Sequence, residues 1–366
     1  MNKLVAGNLV HRPLRSLISV FAIAIEVIMI LSITAIMLGM LHDVGKNQSG
    51  IGADMIAHPG AASNLIGVSG ASASVKVAGI LRTLPHVQVA SPVYIKLTAS
   101  SSVENIYGID FESFNALRPF VFIAGGPFTG PDDLIIDDIL ASKGIKLGDT
   151  MQILNHTFRV CGIVDHGKGG RKFIPITTMG QIDGNEGKAS AFYLRTENPP
   201  SFQNDVRNEI HATEGMSQYD VQTMEELLSS LTPAKLPAFN IGLYTVIGIA
   251  VVIGFLVIFQ SMYTAVMERT REIGILKSMG ASRIYVTGVV LSETALLAVA
   301  GIALGVLVTY SLRSVLHIKS PTLAFSITPH WVVYAAVIAF IGSLLGALYP
   351  GLKAAAKDPV DALSYE

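Results

Sequence analysis

Polar and apolar positions separate along this chain into long blocks. Four stretches run for more than twenty residues with almost no charge: Ser16 to Leu41, the interval between Lys235 and Glu268, Ile284 to Leu312, and Trp331 to Leu352. A helix needs about 20 mostly apolar residues to cross a bilayer, so each stretch is predicted as a transmembrane helix. The first exceeds the h-region of a signal peptide and has no small-residue cleavage site after it, so it reads as an uncleaved anchor. Between the first two spans the pattern changes. "HVQVASPVYIKLTA" (86–99) and "VENIYGID" (103–110) alternate with the period of a strand, and "DTMQILNHTFRVCGIVD" (149–165) alternates on both sides of Asn155-His156, a hairpin signal. Asp137 or Asp138 is placed to cap a short helix, Pro200 to open one carrying Phe202, Val206 and Ile210 on one face, and "MEELLSSL" (224–231) forms a further helix.

The predicted fold is therefore a four-helix membrane protein with a large α+β extracytoplasmic domain inserted between helices one and two. Residues 1–42 hold an interfacial segment and the first span, and residues 43–235 the inserted domain, expected in two lobes. Residues 236–267 form the second span, 268–283 a charged connecting helix, and 284–312 the third span. Residues 313–330 are a short outer loop, 331–352 the fourth span and 353–366 a tail.

Composition agrees. Of 366 residues, 51% are hydrophobic and 14% charged, against about 25% charged in soluble domains. Mean hydropathy is +0.52. Residues 43–235 carry 15 Lys and Arg against 20 Asp and Glu, whereas the rest carries 11 against 7. The basic residues cluster at Lys3, Arg12 and Arg15, at Arg269, Arg271, Lys277 and Arg283, and at Lys353 and Lys357. By the positive-inside rule both termini and the 268–283 segment are cytoplasmic, and the inserted domain lies outside the inner membrane. No basic field suited to nucleic acid is present.

Catalytic motifs are missing. The sequence holds no G-x-x-x-x-G-K-[ST], G-x-S-x-G or H-E-x-x-H pattern, and its single cysteine, Cys161, forms no intrachain disulfide. No cofactor and no metal is expected on this chain. Cys161, Asp165 and His166 are the one grouping with metal-ligand chemistry, and the glycine-rich "HGKGGRK" (166–172) reads as a hairpin tip in preference to an anion site.

Glu26 and Glu293 stand inside spans one and three. Each lies about 10 residues from the cytoplasmic end, hence about 15 Å deep by helical rise. An ionisable residue there is a functional candidate, for ion coupling, for a polar contact between packed helices or across a dimer, or for exposure to a water-filled cleft. Gly301 with Gly305, and Gly342 with Gly346, form G-x-x-x-G pairs suited to close helix packing.

The remaining oddity is "MERTREIGILKSMGAS" (267–282), a charged stretch between two apolar ones. Gly280 suits a helix C-terminus and Ser282 can cap the next helix, so residues 267–279 form a short helix. Glu272 and Arg269 fall within the arc of Ile273, Leu276 and Met279, a mixed face that suits docking on a protein. The alternative is a solvated loop that obeys the positive-inside rule.

This stretch resembles the loop after the second span in the FtsX/MacB-like permeases of ABC transporters. "HRPLRSLIS" (11–19), "LSETALLAVAGIALGVLV" (291–308), "GIKLGDTMQILNHTFRVCGIV" (144–164) and the C-terminal "LYPGLKAAAKDPVDALSYE" (348–366) are similar to other parts of that family. The resemblance implies that Glu268, Arg269, Glu272, Ile273, Gly274, Leu276, Lys277 and Gly280 form a coupling helix docked on a separate cytoplasmic ABC ATPase, which would bind ATP and Mg. It further implies a second permease subunit in a homodimer or a close heterodimer, a periplasmic adaptor and outer-membrane channel, and mechanotransmission to an external domain that handles lipid, lipoprotein, peptide or drug. A glutamate matching Glu293 is common in the family; Glu26 is outside its pattern. Two other readings stand beside export: an FtsX-like signal transducer acting on a cell-wall hydrolase or sensor, and an ion-coupled transporter using Glu26 and Glu293.

Overall fold

A computed structural model describes residues 13–60, 72–99, 103–319 and 323–356; Lys3, Arg12, Lys357 and the C-terminal signature after Ala356 lie outside these residues. Two compact units are present, Met1–Met40 with Pro237–Glu366, and Leu41–Leu236.

Four helices are long and apolar enough to cross a membrane. They span Pro13–Gly50, Pro237–Glu268, Arg283–Lys319 and Pro329–Ala356, with a shorter helix, Thr270–Ser278, between the second and third. All but the second overrun their apolar stretches, because a charged residue does not by itself end a helix. The third, with 37 residues, is about 55 Å long, well beyond the roughly 30 Å of a hydrocarbon core.

In lipid, helices associate through close packing and polar contacts, not through apolar burial, and small residues allow the backbones to approach. Gly301 and Gly305 do this against the first helix. A Cβ on Gly301 would lie 2.7 Å from Ile23 Cβ and 2.9 Å from the Val20 carbonyl oxygen, and one on Gly305 would lie 2.8 Å from Val27 Cβ. Gly346 meets the Phe255 carbonyl of the second helix at 3.0 Å by the same measure. Gly342 differs: its nearest neighbour is a Glu26 carboxylate oxygen at 3.9 Å. Ser19 and Ser261 hydroxyls join the first and second helices at 2.6 Å.

The inserted block is built on one ten-stranded mixed sheet. In chain order its strands are β1 (Met55–His58), β3 (Val87–Ala99), β4 (Val103–Ile109), β5 (Phe122–Gly125), β6 (Asp133–Asp137), β7 (Thr150–Ile153), β8 (His156–Val164), β9 (Lys172–Pro175), β11 (Ala191–Thr196) and β12 (Asp220–Thr223), while β2 (Ala73–Ser74) and β10 (Lys188–Ala189) pair separately. The order across the sheet is β12-β1-β11-β3-β4-β9-β6-β8-β5, with β7 on β8. A single sheet thus runs through a block expected to form two lobes, because β4 and β9 pair in parallel and join what would be the two halves.

Both strand readings of 86–99 and 103–110 meet here as the antiparallel β3–β4 pair. The β7–β8 hairpin turns at Leu154-Asn155, one residue earlier than the alternation suggests, with φ of 52° and 61°. Two positive φ values give the primed turn whose twist matches the strands. The helix Met224–Ser230 opens with a capping box, Thr223 and Glu226 each serving the other's backbone N–H. Under the sheet, Tyr107, Phe114, Phe173 and Tyr193 are completely buried side by side, each burial contributing about 1.5–3 kcal/mol.

The last turns of the first long helix belong to this block. Gln48 accepts from the Tyr193 hydroxyl at 2.9 Å and donates to Tyr107 at 3.2 Å. Arg171 pairs with Asp43 at 3.2 Å, and the Gly169 N–H donates to the Asn47 carbonyl at 2.7 Å. The glycine-rich segment 166–172 is therefore not a hairpin tip. It links β8 to β9, which are separated in the sheet by β6, and it clasps the helix end. A Cβ at Gly170 would overlap the Tyr107 ring, so only glycine allows this approach.

Candidate functional site

The charged helix is built between two fixed points. Arg269, where the second long helix ends, leaves the helical region at φ −108° and ψ 18°, and Thr270–Ser278 follows at once. Gly280 then takes φ 94°, a value that favours glycine, and the Ser282 hydroxyl accepts from the Tyr285 N–H at 3.2 Å to start the third long helix.

Two of the expected docking residues turn inward. The Arg269 guanidinium grips Glu293 with two nitrogens, at 2.9 and 3.4 Å. Both side chains are nearly buried, at 11% and 6% exposure, and a forked pair of this kind fixes orientation as well as charge. Lys277 donates to the Ala355 carbonyl at 3.0 Å, in the last turn of the fourth long helix, where a cation meets the negative end of the helix dipole. Gly274 is buried as well, and Ile273 packs against the bundle core.

The pairing also gives Glu293 a neighbour that its position in the sequence does not show. Its position in the sequence suggests about 15 Å from the helix start, yet its partner stands where the second helix stops. Val286 and Val290 of the third helix are buried and line a small cavity of about 60 Å³ together with Ile273 and Leu276 of the charged helix. Glu293 thus sits within reach of Arg269 at the end of the second long helix.

What remains outward is Glu268, Arg271, Glu272, Ile275, Ser278, Met279 and Gly280. Ile275 and Met279 are 45% and 79% exposed. They lie four residues apart, hence on one face, and Ile284, at the start of the third long helix, is 85% exposed. Leu276 is half-buried. Of the apolar arc Ile273, Leu276 and Met279, only Met279 is outward, and Ile275 lies outside that arc; a helical wheel alone does not say which arc meets the bundle.

Glu26 sits far from this pair. It is 3% exposed, and its Oε1 has no hydrogen-bond partner among the described residues. A Cβ on Gly254 would overlap its carboxylate. The metal reading changes members: Asp138, Asp165 and His166 present ligand atoms within 4.8 Å of one another, whereas the Cys161 thiol faces the Gly126 carbonyl at 3.8 Å. His166 Nδ1 already bonds Asp138 at 3.0 Å.

A bundle of four membrane-crossing helices, carrying a mixed sheet domain between the first two and a charged helix between the second and third, defines a multi-pass membrane protein of permease type. The FtsX-like permease C-terminal family matches residues 244–359, and the MacB-like periplasmic core domain matches residues 16–211. The chain belongs to this family of MacB- and FtsX-like ABC transporter permeases. It is 23% identical to an ABC transporter permease of Methanocaldococcus jannaschii over 62% of its own length and 60% of that protein's. It is 32% identical to the ABC transporter permease YknZ of Bacillus subtilis over 43% of this chain and 39% of YknZ. With the macrolide export ATP-binding/permease protein MacB of Azoarcus sp. it shares 30% identity over 45% of this chain and 24% of that protein. The chain thus spans less than two thirds of each of these relatives.

Proposed function

We propose that this chain is the permease subunit of a MacB-like ABC exporter, itself without catalysis, that takes up motion from a separate ATPase and delivers it to the external domain. The observation that supports this reading best is the two-sided charged helix. Arg269 and Lys277 hold one side to the bundle, while Arg271, Glu272, Ile275 and Met279 stay outward as a mixed apolar and charged face. Such a face suits a protein groove, with apolar anchors and ion pairs together. ATP and Mg belong to the partner in this reading, and a second copy of the permease completes the pair. The first long helix, unbroken from Pro13 to Gly50 and bonded through Gln48 to the sheet, is suited to relay displacement to the outer domain. A hydrophobic or amphiphilic cargo is handled there, with an adaptor and outer channel as further partners. The Arg269 partner of Glu293 counts against the ion-coupled alternative, because that carboxylate is already neutralised.

Co-expression with the candidate ATPase tests the reading. Ile275→Asp with Met279→Asp should abolish complex formation and ATP-driven activity while the permease still purifies as a folded protein. An unchanged complex with unchanged hydrolysis would sink the docking assignment.

A further inference from the structure

Asp138, Asp165 and His166 come together in the inserted domain, at the end of the parallel strand pair β6–β8. Asp137 of β6 lies in register with Val164 of β8, so the next residues, Asp138 and Asp165, leave the sheet side by side. The Asp137 carboxylate accepts from the Leu140 N–H at 2.7 Å and starts the short helix Asp138–Ala141, and the Asp165 N–H donates to the Val121 carbonyl at 2.9 Å. The backbones that carry both acids are thereby fixed. His166 follows Asp165 directly and turns Nδ1 toward the two carboxylates, 3.0 Å from Asp138 Oδ1 and 3.5 Å from Asp165 Oδ1. The sequence groups His166 with Asp165 and Cys161; the fold keeps Asp165, turns the thiol away and supplies Asp138 in its place.

A surface hydrogen bond between a histidine and one acid is the simpler account of such a contact, and it does not cover this one. Nδ1 carries at most one proton, so it serves only one of the two carboxylates at a time. Negative charge is also in excess. Asp137, behind the pair, is 1% exposed, and burial above all, with the charge of Asp138 in addition, pushes its carboxyl up to about 6 against the pull of the Leu140 N–H and Arg171. A cation among the three groups takes a lone pair from each at once. With metal bonds of about 2.0–2.1 Å, tetrahedral ligand atoms stand about 3.3–3.4 Å apart. The two nitrogen-to-oxygen distances bracket that value, and all three ligand atoms lie within 4.8 Å of one another. The donor set selects the ion: an imidazole beside two carboxylates suits zinc and its neighbours, whereas calcium and magnesium take oxygen ligands. The three side chains are 36–59% exposed, which leaves a path from solvent and room for water as a further ligand.

We infer that Asp138, Asp165 and His166 bind a divalent transition cation of the zinc class, with water completing its shell. His166 gives the Nδ1 lone pair and keeps its imidazole proton on Nε2. It also opens the segment 166–172, in which the Gly169 N–H and the Arg171 guanidinium hold Asn47 and Asp43 at the end of the first long helix. The ion fastens the start of that segment to the end of β6, and so braces the place where the helix end joins the sheet. The inference does not rest on the export reading, since binding needs neither ATP nor a partner chain.

The test uses the full chain in detergent, purified without a histidine tag and stripped with EDTA, and titrates it with zinc chloride by calorimetry. One zinc ion per chain should bind, at least about tenfold more tightly than calcium. His166→Ala, Asp138→Asn and Asp165→Asn should each weaken zinc binding by about tenfold or more, while Cys161→Ser leaves it unchanged. Zinc should also raise the thermal midpoint of the wild type and not that of His166→Ala. Because each protein is compared with itself, with and without the ion, this second readout separates a ligand from a residue that only supports the fold. Zinc binding by the wild type no tighter than by His166→Ala, or binding lost in Cys161→Ser, overturns the inference. Calcium bound as tightly as zinc and untouched by His166→Ala overturns it as well, since the carboxylates alone would then hold the ion.

Discussion

Arg269 and Glu293 stand 24 residues apart in the chain and meet as a nearly buried, two-point ion pair. The pair ties the end of the second long helix to the third and sets where the charged helix begins. Breaking a buried pair by removing one partner typically costs 3–5 kcal/mol, because the other charge is left uncompensated. Glu293→Gln should therefore lower the thermal midpoint of the detergent-purified protein sharply. The double variant with Arg269→Gln should recover much of the loss. Strictly additive effects of the two changes would mean that the contact carries no coupling.

Of the four G-x-x-x-G glycines, Gly301, Gly305 and Gly346 pack closely against a neighbouring helix and Gly342 does not. Gly301→Ala would place a methyl 2.7 Å from Ile23 Cβ and 2.9 Å from a backbone oxygen of the first helix. Neither neighbour can move without shifting a helix, so a loss of about 1–3 kcal/mol is expected, as for overpacking elsewhere. Gly342→Ala meets nothing closer than 3.9 Å and should be nearly neutral. Comparison of the two variants by chemical denaturation in the same detergent checks this; equal losses would refute the assignment of close packing to Gly301.

Lys168 gives a pH signature. It is 6% exposed, its Nζ lies 3.8 Å from the Phe120 ring centre, and it donates to the Phe114 carbonyl at 3.2 Å and to the Arg118 carbonyl. Burial, with the nearby Arg118 charge in addition, pushes its pKa from 10.5 down to about 7. Above pH 7 the folded protein releases this proton while the unfolded chain keeps it up to about 10.5. The unfolded state then binds more protons, so this group makes stability rise with pH across that window. The difference in midpoint between wild type and Lys168→Met should grow in favour of the wild type from pH 7 to pH 10. Parallel profiles would contradict the shift.

Asp133 gives the opposite window. Burial alone would raise its pKa, but hydrogen bonds from the Thr129 hydroxyl and N–H, the Arg159 guanidinium and the Gly130 N–H hold it down at about 2. A carboxylate stabilised in this way contributes above its unfolded value of 3.8 and loses the contribution as pH falls toward 2. Asp133→Asn should cost about 2 kcal/mol at neutral pH, the scale of hydrogen bonds to a charged group. The gap to wild type should close between pH 4 and pH 2. A gap that stays constant with pH would show that shape, not charge, is what the turn needs.

Much of this architecture is legible from residues alone, for identifiable reasons. Twenty apolar residues in lipid can only be helix or closed barrel, because backbone groups there must be satisfied internally, and so the four spans stand out. Alternation in 86–99, 103–110 and 149–165 marks strands because a half-buried strand has a period of two. Gly280 and Ser282 mark the end of one helix and the start of the next through local backbone geometry. Tertiary structure decided the rest. Periodicity shows which residues share a face, not which face meets a neighbour, so Ile273 and Gly274 turned inward and Ile275 outward. The partners Arg269 of Glu293, Gln48 of Tyr193 and Asp138 of His166 are each brought together by chain folding over 24 to 145 residues. No local pattern encodes such distances. Glu26 belongs to both accounts: the sequence by itself marks it as a carboxylate where lipid should be, and only the tertiary structure brings Gly254 and Gly342 against its buried carboxylate.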